Sequence, residues 1–99
     1  MLSVIIPAYN EQDNISAAAA AIGGILDGEG IGCELVFVDD GSRDGTWNEI
    51  KRASEADGRV RGVRFSRNFG KEGAIFAGLA AARGECAVLI DCDLQHPPE

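Results

Sequence analysis

What the chain lacks narrows its chemistry first. Only 9 Lys and Arg stand against 16 Asp and Glu, giving a formal charge of −7, and no basic cluster stands out. Recognition of a nucleic-acid backbone needs such a patch, so no nucleic-acid partner is expected. The single histidine, His96, has no second His or paired Cys at ligand spacing, which argues against zinc and leaves it as a loop residue or substrate contact. The three cysteines, Cys33, Cys86 and Cys92, are odd in number. Cys86 and Cys92 bracket an expected strand, so no disulfide between them is expected, and reduced cytoplasmic thiols are the simplest reading. No basic leader or cleavage site follows Met1. The longest weakly polar stretch, Ile15 to Leu26, is too short and too rich in Gly and Ala to span a bilayer. Internal repeats, low-complexity segments and linkers are also missing.

What remains is an ordinary globular composition, 45% hydrophobic and 25% charged over 99 residues, which suits one domain. Ser3 to Ile6 reads as an apolar strand stopped by Pro7. Asn10 and Asp13 are good N-cap types for a helix whose apolar face runs Ile15, Ala19, Ile22, Leu26 and whose stop is Gly28 and Gly30. Glu34 to Val38 is a second strand. Thr46 and Glu49 then fit a capping box for a helix with Trp47, Ile50 and Ala53 on one side. Arg61 to Phe65 is a third strand, followed by a helix with the small-residue face Ala74, Ala77, Gly78, Ala81, ended by Gly84. Cys86 to Ile90 is the fourth strand, and its unbroken apolar run predicts burial on both faces.

The order βαβαβαβ implies a parallel sheet with helices on both faces, an α/β Rossmann-like three-layer sandwich. Right-handed crossovers give the strand order 3-2-1-4. The polar loops at 7–11, 39–45, 66–73 and 91–95 then all fall at strand carboxyl ends, where open α/β sheets place ligands.

The last of these loops carries the sharpest signal. Asp91 and Asp93 are two residues apart at a strand end, and residues at that spacing in an extended chain project to one side. Two carboxylates about 4 Å apart repel by roughly 4 kcal/mol at an effective dielectric near 20. A divalent cation with a taste for hard oxygen, Mg²⁺ or Mn²⁺, turns that penalty into a site. The alternative is a pair of solvated carboxylates or helix caps. The first loop contains no glycine between Pro7 and Glu11, so it lacks the turn that a dinucleotide pyrophosphate requires. Tyr9 beside Glu11 could stack on a base and accept its N–H groups, or serve merely in a strand-to-helix turn. Asp39-Asp40 stands where an acid commonly meets a ribose or base, although Asp-Asp-Gly-Ser is also ordinary turn chemistry. Arg67 and Lys71, in Ser66 to Gly73, can counter phosphate charge beside the amides of a helix start.

Together, Ser3-Val4-Ile5-Ile6-Pro7-Ala8-Tyr9-Asn10-Glu11, Val38-Asp39-Asp40-Gly41-Ser42 with Asp44-Gly45-Thr46, and Asp91-Cys92-Asp93 resemble glycosyltransferase family 2, inverting metal-dependent enzymes with a GT-A fold. Ser66 to Ala74 and Asp93-Leu94-Gln95-His96-Pro97-Pro98-Glu99 are similar to its polyprenyl-phosphate branch, the group of dolichol-phosphate mannose synthase and the bactoprenol glucosyltransferases. The resemblance covers essentially the whole chain. It implies that Pro7, Tyr9, Glu11, Val38 and Asp40 hold base and ribose. It further implies that Asp91 and Asp93 ligate Mg²⁺ or Mn²⁺ on the diphosphate, with Gln95 as a further metal ligand. Cys92, where the family commonly has alanine, would meet the nucleotide through its backbone. The implied donor is a UDP- or GDP-sugar and the implied acceptor a polyprenyl phosphate.

The chain stops at Glu99, directly after this loop, and the expectation is an N-terminal, nucleotide-sugar-binding piece (residues 1–99) of a longer protein whose acceptor-binding remainder follows. The longer protein is expected at the cytoplasmic face of a membrane, and the piece is expected to expose a sheet edge that invites dimerisation. Two other readings stay open. A haloacid-dehalogenase-type phosphatase also ends a strand in Asp-x-Asp, but on its first strand and with Thr or Val two places on, where this chain has Gln95. A nucleotide-binding module without catalysis would keep the same loops, as would a transferase acting on a polysaccharide.

Overall fold

The computed structural model describes residues 1–92. Its elements are β1 (Leu2–Ala8), α1 (Ile15–Gly28), β2 (Cys33–Asp39), α2 (Thr46–Ala56), β3 (Val60–Arg64), α3 (Lys71–Ala81) and β4 (Cys86–Leu89). The strands form one parallel sheet in the order β3-β2-β1-β4, as the alternation of strands and helices predicts. Strand alternation divides the core in two. Val4, Ile6, Leu35 and Phe37 face α1 and α2, meeting Ile15, Ala18, Ile22 and Ile50. Ile5, Val36 and Val38 face α3 and meet Ala74. The small face of α3 lets it come close: a Cβ on Gly78 would lie 2.3 Å from Ile5 Cγ2.

Several local expectations are corrected. Pro7 does not stop β1, which runs on to Ala8 and stays in register with β2, Pro7 opposite Val38. On the other side, Ile90 N–H donates to the Ile5 carbonyl, the last such rung toward β4 among the described residues. Pro7, two residues on, turns its nitrogen to that same side, where the next rung would need a donor. The proline therefore ends one ladder and leaves the other intact. The strand buried from end to end is β2. All four residues of β4 are exposed, with Val88 and Leu89 at 41% and 47%. It is an edge strand, and an apolar run alone does not say what covers it.

Capping also differs. Helix α1 starts after Asn14 without a side-chain cap bond, so neither Asn10 nor Asp13 is its cap. Glu29 and the left-handed Gly30 (φ 70°) follow its last helical residue, Gly28. Helix α2 has Gly45 at its N-cap, and the Thr46–Glu49 box does not form. The Thr46 hydroxyl donates to Asp44 instead.

At the rim where the strands begin, Glu34 is buried and saturated. Its carboxylate accepts from the Ser3 hydroxyl at 2.6 Å, the Arg83 N–H at 2.6 Å and the Arg61 guanidinium at 2.7 Å. Burial by itself raises a carboxyl pKa, but those three donors outweigh it and hold Glu34 at about 2. The network ties β1, β2, β3 and the segment entering β4 together at one end of the sheet.

Candidate functional site

The opposite rim, where the strands end, opens into a cleft of about 400 Å³. Pro7, Ala8, Tyr9 and Glu11 line it from the β1 exit, Asp40 from the β2 exit, and Asp91 and Cys92 from the β4 exit. Asn68, Gly70, Lys71 and Ala74 line it from the loop before α3 and that helix's first turn. The cleft thus lies at the reversal of strand order between β1 and β4, the usual ligand position in such sheets.

The β1 and β2 exits are bound to each other rather than separately capped. Asn10, in the left-handed region at φ 54°, donates its N–H to the Ser42 hydroxyl at 2.8 Å and accepts from Arg43 N–H at 2.9 Å. Glu11 N–H donates to the Thr46 hydroxyl at 2.8 Å, and the Gln12 side-chain oxygen accepts from Gly45 N–H at 2.6 Å. Asp44 closes this junction. Burial works against its charge, but donors from Thr46 and Gln12 prevail and keep its carboxyl below the usual range. Tyr9 lies on this tied loop and is 44% exposed.

Asp40 organises the other side. Its Oδ1 accepts from Phe69 N–H at 2.8 Å, while its Oδ2 accepts from the Asn68 side-chain amide at 3.0 Å. Next to it, Gly41 has φ 75°, and a Cβ there would lie 2.3 Å from the Arg67 carbonyl carbon. Only glycine allows the 66–70 loop to rest against the β2 exit. Arg67 sits over the Phe69 ring at 4.7 Å and is not among the cleft-lining residues. Lys71 does line it, and its ammonium meets Asp91 Oδ1 at 3.0 Å.

Pro7, Tyr9, Glu11, Asp40, Asp91 and Cys92 are therefore gathered around one cavity. Val38 is fully buried in the core beneath α3 and is not among the lining residues. Cys92 is buried and also belongs to the core on the α1 side. Asp93, Gln95 and His96 lie outside the described residues. Among the described residues, no group of three His, Cys, Asp or Glu side chains forms a metal-binding cluster. Of the expected metal ligands, Asp91 is the one among the described residues, and it fits a hard cation: it is an exposed oxygen donor on the cleft and already meets a cation, the Lys71 ammonium. Lys71 is expected from the sequence as a counter-charge, whereas Asn68 is not. Lys71 carries a charge beside a helix start, but nothing local marks Asn68 as the partner of Asp40.

The family model for glycosyl transferase family 2 matches residues 3–99. The chain belongs to glycosyl transferase family 2. Within it, the chain is 40% identical over 99 residues to the undecaprenyl-phosphate 4-deoxy-4-formamido-L-arabinose transferase of Shewanella sediminis, covering 99% of this chain and 30% of that protein. Among solved structures, it is similar to a mannosyltransferase of Pyrobaculum calidifontis in complex with GDP-Man and Mn²⁺, at TM-score 0.79 and 31% identity over 93% of this chain and 27% of that one. It is also similar to glucosyl-3-phosphoglycerate synthase of Mycobacterium tuberculosis in complex with UDP, at TM-score 0.72 and 32% identity over 98% of this chain and 35% of that one. The chain spans about 30% of the length of the curated relatives it matches. The GT-A architecture expected of the family 2 nucleotide-binding half is the one observed. Among the described residues, no helix is long and apolar enough to cross a membrane.

Proposed function

We propose that residues 1–99 form the nucleotide-sugar-binding part of an inverting, metal-dependent glycosyltransferase that moves a sugar from a UDP- or GDP-sugar to a polyprenyl phosphate. The observation that carries this reading is the meeting of Tyr9, Asp40, Lys71 and Asp91, from four separate strand-end segments, around one cleft. Support for the donor comes from the similar mannosyltransferase, which holds GDP-Man and Mn²⁺, and from the similar synthase, which holds UDP. Support for the acceptor comes from relatives named as undecaprenyl-phosphate transferases.

In this reading the exposed Tyr9 ring stacks on the base, while Glu11 and Asp40 accept from base or ribose. Asp40 is held in place for this by Asn68 and Phe69, with further lone pairs that no hydrogen bond among the described residues fills. Pro7 and Val38 shape the wall and floor behind the nucleoside, and Cys92 meets the nucleotide through its main chain. Asp91, Asp93 and Gln95 hold Mg²⁺ or Mn²⁺. When bound, the metal neutralises charge gathering on the departing diphosphate. The acceptor phosphate is itself an anionic nucleophile, so its attack on the anomeric carbon needs no strong base from this part of the protein. The acceptor-binding residues belong to the remainder that the longer relatives possess. The full-length protein acts at the cytoplasmic face of the membrane. This piece alone dimerises through its exposed β4 edge and does not turn over.

Calorimetric titration of UDP-glucose, GDP-mannose and the free nucleotides, with and without Mn²⁺, tests the reading. One donor class should bind with metal and lose most of its affinity without it. Equal binding with and without metal, or sugar transfer by residues 1–99 alone, would overturn it.

A further inference from the structure

We propose that Lys71 is the resident counter-cation of the metal-free donor site: it holds Asp91 until a divalent ion takes that carboxylate, and then passes to the diphosphate. The inference rests on the donor-site reading above and adds to it an exchange of cations on one carboxylate.

The two side chains meet at 3.0 Å across the cleft mouth, and they are rooted on different elements, the first residue of α3 and the exit of β4. Among the described residues lining the cleft, Lys71 is the one cationic side chain, facing the acids Glu11, Asp40 and Asp91. Arg67, four residues earlier, lies over the Phe69 ring and is not among the cleft-lining residues. Both partners are exposed, Lys71 at 61% and Asp91 at 65%. A solvated ion pair of this kind is weak, so it can satisfy the acid without locking the site. An ammonium on a flexible four-carbon stem can leave one anion for another a few ångströms away. A divalent ion on Asp91 would repel it, and a diphosphate in the same cleft offers it a new partner at the amino end of α3, where the helix dipole also favours an anion.

This predicts effects of opposite sign from a single substitution. In Lys71→Met, Mn²⁺ binding to the nucleotide-free protein should tighten by roughly two- to fivefold, the competing cation having gone. Binding of GDP or UDP in the presence of Mn²⁺ should weaken by roughly five- to tenfold, the loss of one charge-assisted contact. Guanosine and uridine, which carry no phosphate, should bind as before. In an Asp91→Asn background, Lys71→Met should leave Mn²⁺ binding unchanged, and Lys71→Arg should behave closer to wild type than Lys71→Met does. Manganese EPR for the ion and calorimetry for the nucleotides read all of these. Looser or unchanged Mn²⁺ binding in Lys71→Met would overturn the exchange while leaving the donor site standing, provided wild type binds metal and nucleotide. Failure of wild type to bind either would remove the donor-site reading and this inference with it.

Discussion

Two carboxylates on opposite rims of one sheet have opposite fates. Glu34, where the strands begin, is buried and accepts from Ser3, Arg61 and Arg83 at once. Asp91, where β4 ends, is mostly exposed, and among the described residues its carboxylate is met by the flexible-stemmed Lys71. Asp40 lies between these extremes, buried like Glu34 but on the cleft like Asp91. A carboxylate saturated by the protein's own donors stabilises the fold and has nothing left for a ligand. One on a cavity with a weakly held counter-ion adds little to stability and remains open to exchange. Acid count therefore says less than how each acid's lone pairs are filled.

The contrast can be broken from either end. The largest effect belongs to Glu34. Its carboxyl is held at about 2, below its ordinary 4.5, so the stability it contributes is complete above about pH 4.5 and disappears as pH falls toward 2. A displacement of that size corresponds to about 3 kcal/mol. Acid unfolding followed by circular dichroism should show wild type losing that stability across this window. Glu34→Gln should be less stable at neutral pH and flatter below pH 4.5; an identical acid profile would deny Glu34 its structural role.

Next in size are two glycines that permit close approach. Gly78→Ala should cost about 1–3 kcal/mol in urea unfolding, because its new methyl meets Ile5 across the α3–sheet contact. Gly41→Ala should cost about as much, combining a left-handed backbone with a clash against the Arg67–Asn68 peptide. Unlike Gly78→Ala, it should also weaken nucleotide binding, since it displaces the loop that lines the cleft. Equal nucleotide affinity in both variants would separate the 66–70 loop from the site.

Asn68→Ala removes a side-chain amide from Asp40 and should cost about 1 kcal/mol. The smallest effect on stability is expected at Asp91. Asp91→Asn should change the unfolding free energy by less than about 0.5 kcal/mol, yet abolish the metal-dependent part of donor affinity in calorimetry. A large loss of stability in that variant would place Asp91 with Glu34 as a structural acid.

Much of this was legible in the residues. Short apolar strands separated by helical periodicity give the parallel sheet, and the handedness of crossovers gives its order. That order alone sends Tyr9, Asp40 and Asp91 to one edge. What escaped was settled by contacts distant in sequence. Asn10 looks like a helix cap, but Ser42 and Arg43, more than thirty residues away, fix it in a left-handed turn. Thr46 looks like the start of a capping box, but Glu11 N–H, 35 residues away in sequence, claims its hydroxyl together with the nearby Asp44. Asn68 has no local signature because its purpose, holding Asp40, exists only once β2 and the loop before α3 lie side by side. The apolar run of β4 promised burial, but hydrophobicity records a strand's need for cover and not its neighbours, and here its side chains are exposed.

Where added Mn²⁺ binds is the most direct question to ask of the two rims. With a nucleoside diphosphate bound, trace Mn²⁺ should broaden the amide resonances of Tyr9, Asp40, Lys71 and Cys92 and spare those of Ser3, Glu34 and Arg61. Broadening centred on the Glu34 rim, or spread evenly over the sheet, would contradict the division of labour between them.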